Sequence, residues 1–147
     1  MSQRNYVVVP ESDRAAILDL ISAYTRFFDD MAMDEMAQLF TQDVRILPNL
    51  GPALPEVIEG RGAVRDFYTA ARQQTADSGL QPRHFSTNPL FSESSATAAR
   101  LSINMLYSEF DQASRATAVK LAGRYSFAVK KVDGEWFIEE VSIGYDL

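Results

Sequence analysis

One histidine stands in a chain of 147 residues, and there is no cysteine. His84 is therefore the one side-chain type here that changes charge near neutral pH. It lies in Pro82-Arg83-His84-Phe85-Ser86-Thr87-Asn88-Pro89-Leu90. Prolines bracket this stretch, and neither suits a helix interior, so it reads as extended. On a strand His84, Ser86 and Asn88 share one face, with Phe85 and Thr87 on the other. A face of imidazole, hydroxyl and amide is too polar for pure core. It meets water or lines a pocket. Asp29 is the second residue of interest. It falls at the end of a helical pattern, where the helix dipole disfavours a carboxylate. Either it is placed for use, or it is an ordinary helix-end residue in solvent or beside an arginine.

The elements that would position these groups follow from periodicity. Ser12 reads as an N-cap with Asp13 in the first turn. Ile17, Leu20, Ile21, Tyr24, Phe27 and Phe28 then form one broad apolar helical face, running to about Asp29. Met33 to Phe40 reads as a short second helix and Asp43 to Leu47 as a short strand. Pro48 to Pro55 is a loop, a possible pocket rim. Gly60-Arg61-Gly62 opens a third helix with Ala63, Val64, Phe67, Tyr68 and Ala71 on its buried face, fading by Asp77-Ser78-Gly79. From Gln81 onward the pattern is that of strands: one carrying His84, one over 96–110, one over 116–131 and one over 135–145. In the last, Phe137, Val141, Ile143 and Tyr145 alternate with more polar positions. Val132-Asp133-Gly134 signals a tight hairpin. The class is α+β: a cone-shaped α+β barrel, with three N-terminal helices on a strongly curved, mostly antiparallel sheet. Strands of about 12–16 residues call for strong twist and a bulge. Residues 1–11 read as an N-terminal arm and 12–147 as one domain.

Composition narrows the function classes. The net charge of −6 argues against nucleic acid and anionic membrane surfaces as partners. Without cysteine there are no disulfides and no thiolate chemistry, which fits a reducing cytoplasm. No segment is apolar for long enough to be a signal or to cross a bilayer, so a soluble, cytoplasmic protein is expected. One histidine and no cysteine give no transition-metal cluster, and no Gly-rich phosphate loop is present.

Tyr24-Thr-Arg-Phe-Phe-Asp29, followed by Asp34-Glu-Met-Ala-Gln-Leu-Phe40-Thr-Gln-Asp43-Val, resembles the opening of SnoaL-like domains of the nuclear-transport-factor-2-like superfamily. Gly60-Arg-Gly-Ala-Val-Arg-Asp-Phe67, Arg83-His84-Phe-Ser-Thr-Asn88 and Gly123-Arg-Tyr-Ser-Phe continue the likeness in order, as does Asp133-Gly-Glu-Trp136-Phe-Ile. It spans roughly residues 12–146. Within that group the chain is similar to the cofactor-free enzymes scytalone dehydratase, bile-acid 7α-dehydratase and hexachlorocyclohexane dehydrochlorinase. There an Asp at the end of the first helix pairs with a His on the first long strand. The resemblance places the Asp at Asp29 and the His at His84, and a tyrosine of the bile-acid enzyme at Tyr24. Leu47-Pro48-Asn49-Leu50 departs from the pattern, since the dehydratases carry tyrosines after the first short strand. The small subunits of aromatic-ring-hydroxylating dioxygenases, which are structural, resemble the chain almost as well.

The pairing implied by the resemblance has a direct chemical meaning. A buried carboxylate accepting from one imidazole nitrogen fixes the tautomer and raises the basicity of the other. That nitrogen can remove a proton alpha to a carbonyl, a contribution of about 10²–10⁴ in rate. Tyr24 lies about 140° around the helix from Asp29, so the two converge only on a cavity that wraps the helix end. As a phenol it would assist at a departing hydroxyl or an enolate oxygen. Asn88 could do similar work or satisfy backbone. Arg45 could bind an anionic substrate group, pair with Asp29 or sit in solvent. The expectation is a cofactor-independent lyase or isomerase, foremost a dehydratase of a small hydrophobic hydroxy-ketone, with no cofactor and no metal. The alternative is a non-catalytic dioxygenase small subunit or a hydrophobic-ligand-binding module. A homo-oligomer is expected, because a long sheet with an apolar outer face needs covering; the resemblance to the dehydratases implies a trimer before a dimer.

Overall fold

The computed structural model describes residues 4–146. Residues 1–3 of the expected arm, and residue 147, lie outside that range. Helix α1 spans Glu11–Asp29, α2 Met33–Ala37 and α3 Arg61–Asp77. The strands are β1 Phe40–Leu47, β2 Ile58–Glu59, β3 Leu80–Ser94, β4 Ala98–Asp111, β5 Ala116–Val132 and β6 Glu135–Tyr145. They form one sheet in the order β2-β1-β6-β5-β4-β3. Every pairing is antiparallel except β1 with β6. The sheet curls without closing, and its concave face takes the three helices.

Helix α1 starts at once after Pro10, with Arg14 N–H bonded to the Pro10 carbonyl at 2.8 Å. Proline has no N–H to leave orphaned and its fixed φ suits a helix start. Ser12 is therefore inside the first turn and not the N-cap. Asp13, also in that turn, accepts from Trp136 Nε1 at 3.0 Å and Lys131 Nζ at 3.1 Å. The indole and then the ammonium hold its carboxyl below the usual carboxylate range. These contacts tie the start of α1 to the β5–β6 hairpin. The hairpin turns through Asp133 and Gly134, both at positive φ, as a two-residue primed turn requires.

The second helix is shorter than its apolar spacing suggests. Phe40, with no exposed surface, leaves it to pair with Ile138 of β6, and Arg61 caps its carbonyl through Nε at 3.1 Å. Burying that ring against the sheet, worth about 1.5–3 kcal/mol, outweighs one more helical turn. The alternation in β6 also shifts. Ala128 faces Glu140 while Val129 faces Ile138, so Glu139 is bulged out. Trp136 and Ile138 are buried before the bulge, Val141 and Ile143 after it, and Phe137 is only half-buried. Further register breaks at Thr87/Leu90, Phe91/Glu93 and Tyr107/Ser108 add curl to β3 and β4. Between β5 and β6, a Cβ on Gly123 would run into the Gly144 carbonyl, so glycine permits the close crossing there. Ile17, Phe91, Phe127 and Val141 belong to the buried core between the helices and the sheet.

Candidate functional site

Asp29 is the last residue of α1 and is 4% exposed. Its Oδ1 lies 2.7 Å from His84 Nδ1, and its Oδ2 accepts the His84 backbone N–H at 2.9 Å. One carboxylate thus holds both the ring and the main chain of the histidine. The Nδ1 side of the ring is committed to Asp29, so the proton on a neutral imidazole sits there and Nε2 is left bare. Phe28 packs edge-on against the ring at 5.4 Å between centroids and Tyr107 tilts over it at 4.8 Å.

A carboxylate at a helix C-terminus faces the negative end of the dipole. Arg72 offsets this. It is 4% exposed, and its guanidinium approaches the Asp29 carbonyl at 3.3–3.4 Å. Burial pulls the Arg72 pKa down, and the Asp29 charge acts in the opposite direction. Gln81 Nε2 donates to the same carbonyl at 3.0 Å. Arg72 was legible in principle: Val64, Tyr68 and Arg72 recur at i, i+4 and i+8 on the buried face of α3.

His84 opens onto a cavity of about 410 Å³ between the helices and the sheet. Asp29 does not reach the wall and stands behind the imidazole. Five tyrosines line the space: Tyr24, Tyr68, Tyr107, Tyr125 and Tyr145. Phe28, Phe67, Leu121 and Ile143 supply apolar wall, with Leu50 from the proline-rich loop at the rim. Tyr24 and Tyr68 share a hydrogen bond of 2.6 Å between their hydroxyls, and Tyr125 and Tyr145 one of 3.2 Å. Burial pushes all five phenols above their ordinary value. They remain neutral O–H groups, suited to hydrogen-bond an oxygen rather than to act as phenolates.

The structure brings together His84, Asp29 and Tyr24. It does not bring Asn88 or Arg45 to them. Asn88 sits at the break in the β3–β4 register, at φ +53, exposed and off the cavity wall. The bulge ends the alternation that would have kept it beside His84. Arg45 is on β1, bonded to Glu59 at 3.3 Å and Glu140 at 3.1 Å. Its charge is spent on those carboxylates, and Arg72 occupies the place near Asp29. Sequence reasoning missed the other four cavity tyrosines as site residues, together with Glu109 on β4. The signal was there in β4, where Ile103, Met105, Tyr107 and Glu109 alternate on the inward face.

No curated protein matches the chain. Among solved structures, a Novosphingobium aromaticivorans protein provisionally named a scytalone dehydratase is 23% identical, with a TM-score of 0.72 over 92% of this chain and 85% of that one. A type 2 hexachlorocyclohexane dehydrochlorinase is 17% identical, with a TM-score of 0.76 over 92% and 86%. The β subunit of a provisionally assigned aromatic-ring-hydroxylating dioxygenase from Novosphingobium aromaticivorans is 17% identical, with a TM-score of 0.75 over 93% and 91%. At these identities the likeness is one of fold. Residues 11–142 match the SnoaL-like domain, and the chain belongs to that family.

Proposed function

We propose that this protein is a cofactor-independent lyase that eliminates water from a small hydrophobic hydroxy-ketone, with His84 as general base. The observation that carries the reading is the two-point grip of Asp29 on His84, which leaves one bare imidazole nitrogen facing an apolar cavity. Nε2 takes the proton alpha to the carbonyl. The C–H electron pair becomes the C=C bond as the C–O bond to the β-hydroxyl breaks. The leaving oxygen takes a proton from the imidazolium and departs as water, so the base is regenerated. Asp29 orients the ring and stabilises the imidazolium that forms. The Tyr24–Tyr68 pair donates to the carbonyl oxygen as negative charge develops there. The fold-level likeness to a dehydratase and a dehydrochlorinase supports elimination as the reaction type.

The test is a panel of bicyclic β-hydroxy ketones, with formation of the conjugated enone followed by absorbance. At least one should turn over with wild type, and His84→Ala should abolish that turnover. Turnover that survives in His84→Ala would refute the assignment. No turnover of any compound, together with co-purification of an iron–sulfur partner, would favour a non-catalytic dioxygenase subunit instead. A homo-oligomer is part of the proposal. Phe85, Leu106 and Val119 are exposed on the sheet, and a second copy would cover them. A monomeric mass by light scattering would refute it.

A further inference from the structure

The elimination chemistry leaves one charged group of the cavity without a task. Among the described residues, the titratable groups on the cavity wall are His84, the five tyrosines and Glu109; no Lys or Arg lines it. The Glu109 side chain is 15% exposed. Its Oε1 accepts from the Tyr107 hydroxyl at 2.9 Å. Its Oε2 is 4.0 Å from Lys120 Nζ, on a side chain that is half exposed, so water screens that contact.

The strand register fixes where Glu109 stands. Tyr107 is paired with His84 and with Leu121. Glu109 is the next inward position along β4, toward the far end of the β4–β5 hairpin. On the opposite side of His84, Tyr145 is paired with Gly123, which faces Met105, and Tyr125 is paired with Ile103. His84 therefore lies between a phenol pair and a carboxylate. In a phenol pair one hydroxyl donates to the other, so one proton remains free to donate to a ligand. A carboxylate only accepts. The two ends of the cavity ask for opposite things, an acceptor oxygen at the phenols and a donor at Glu109.

We propose that Glu109 is a substrate-selecting residue. It binds a hydroxyl of a neutral, oxygenated ring compound and rejects ligands that carry a carboxylate or phosphate. This rests on the reading of the cavity as the small-molecule site. A ligand hydroxyl finds a charge-assisted acceptor, whereas an anionic group meets a like charge with no cation on the wall to balance it.

The probes are 2-naphthol and 2-naphthoate, titrated into the protein while the ring protons of the single histidine are followed by NMR. Wild type should favour the naphthol by about tenfold or more. Part of any such preference comes from desolvating the carboxylate, so the decisive quantity is the change in ratio. Glu109→Gln keeps an acceptor for Tyr107 and removes the charge. It should narrow the ratio by about tenfold. Lys120→Gln removes the partial counter-charge and should widen it. Equal affinities in wild type, or a ratio that Glu109→Gln does not move, would overturn the selection by Glu109 and leave the cavity as the site. If neither probe perturbs His84, the cavity reading fails and the selection by Glu109 fails with it.

Discussion

Replacing Asp29 with asparagine turns the cavity-facing nitrogen of His84 from a proton acceptor into a hydrogen-bond donor. The carboxylate accepts two hydrogen bonds, from Nδ1 at 2.7 Å and from the His84 backbone N–H at 2.9 Å. Asparagine offers one acceptor and one donor group. The backbone N–H cannot change its polarity, so it claims the amide oxygen. The amide NH₂ then faces Nδ1, and two donors meet unless the imidazole moves its proton to Nε2. The nitrogen in the cavity is then protonated and cannot take a proton. The expected loss of turnover is about 10²–10⁴. Stability should fall by less. Bonds to a charged group are worth about 1.5–3 kcal/mol and neutral ones about 0.5–1.5. Two bonds so weakened cost about 2–3 kcal/mol. Relief at the helix C-terminus returns about 0.3–1 kcal/mol, leaving a net loss of about 1–2.7 kcal/mol. Long-range ¹H–¹⁵N NMR reads the tautomer directly, and one histidine needs no assignment. In the neutral ring the wild type should carry its proton on Nδ1 and Asp29→Asn on Nε2. The same tautomer in both proteins would refute the reasoning.

Two further outcomes follow from the phenols. Tyr24→Phe removes the hydroxyl bonded to Tyr68 but keeps the ring packed on Phe40 and Phe127. Because the Tyr68 hydroxyl loses its partner, the substitution should cost about 1–3 kcal/mol in urea denaturation while lowering kcat by about 10²-fold; an unchanged kcat would remove Tyr24 from the reaction. The folded-state pKa values of the buried phenols are raised above 10, mainly by desolvation. The folded protein therefore holds these protons after the unfolded chain has lost them. Stability is complete below pH 10 and is lost as pH rises above it, by about 1.4 kcal/mol per pH unit for each such phenol. Denaturation across the alkaline range checks this, and flat stability above pH 10 would contradict it.

His84 and Asp29 each stand out in the sequence, as the only histidine and as a carboxylate at a helix end, but their pairing was implied only by the resemblance to SnoaL-like dehydratases. The apolar face of α1 and the extent of the last strand were legible from periodicity, whereas Ala63, expected on the buried face of α3, is exposed. What stayed hidden depends on strand register. Asn88 looks like a neighbour of His84 if β3 alternates without a break, and the bulge near it is written in pairing with β4, not in local sequence. Phe137 is misplaced for the same reason, one bulge away from Val141. The tyrosines of β4, β5 and β6 look like ordinary strand aromatics until the curl of the sheet turns them onto one cavity. Arg45 and Arg72 show the converse. Arg72 stands on the buried face of α3 that its spacing from Val64 and Tyr68 already marks, whereas Arg45 is half exposed on β1 beside Glu59 and Glu140.

The central claim is that Nε2 of His84 removes a proton from carbon inside the cavity. Deuterium exchange tests it without knowledge of the natural substrate. 2-Tetralone, a bicyclic ketone with acidic α-protons, is incubated with the protein in D₂O, and loss of its α-proton signals is followed by NMR. Wild type should accelerate the exchange over buffer, and both His84→Ala and Asp29→Asn should remove the acceleration. Exchange at the same rate in wild type and in His84→Ala would contradict the claim.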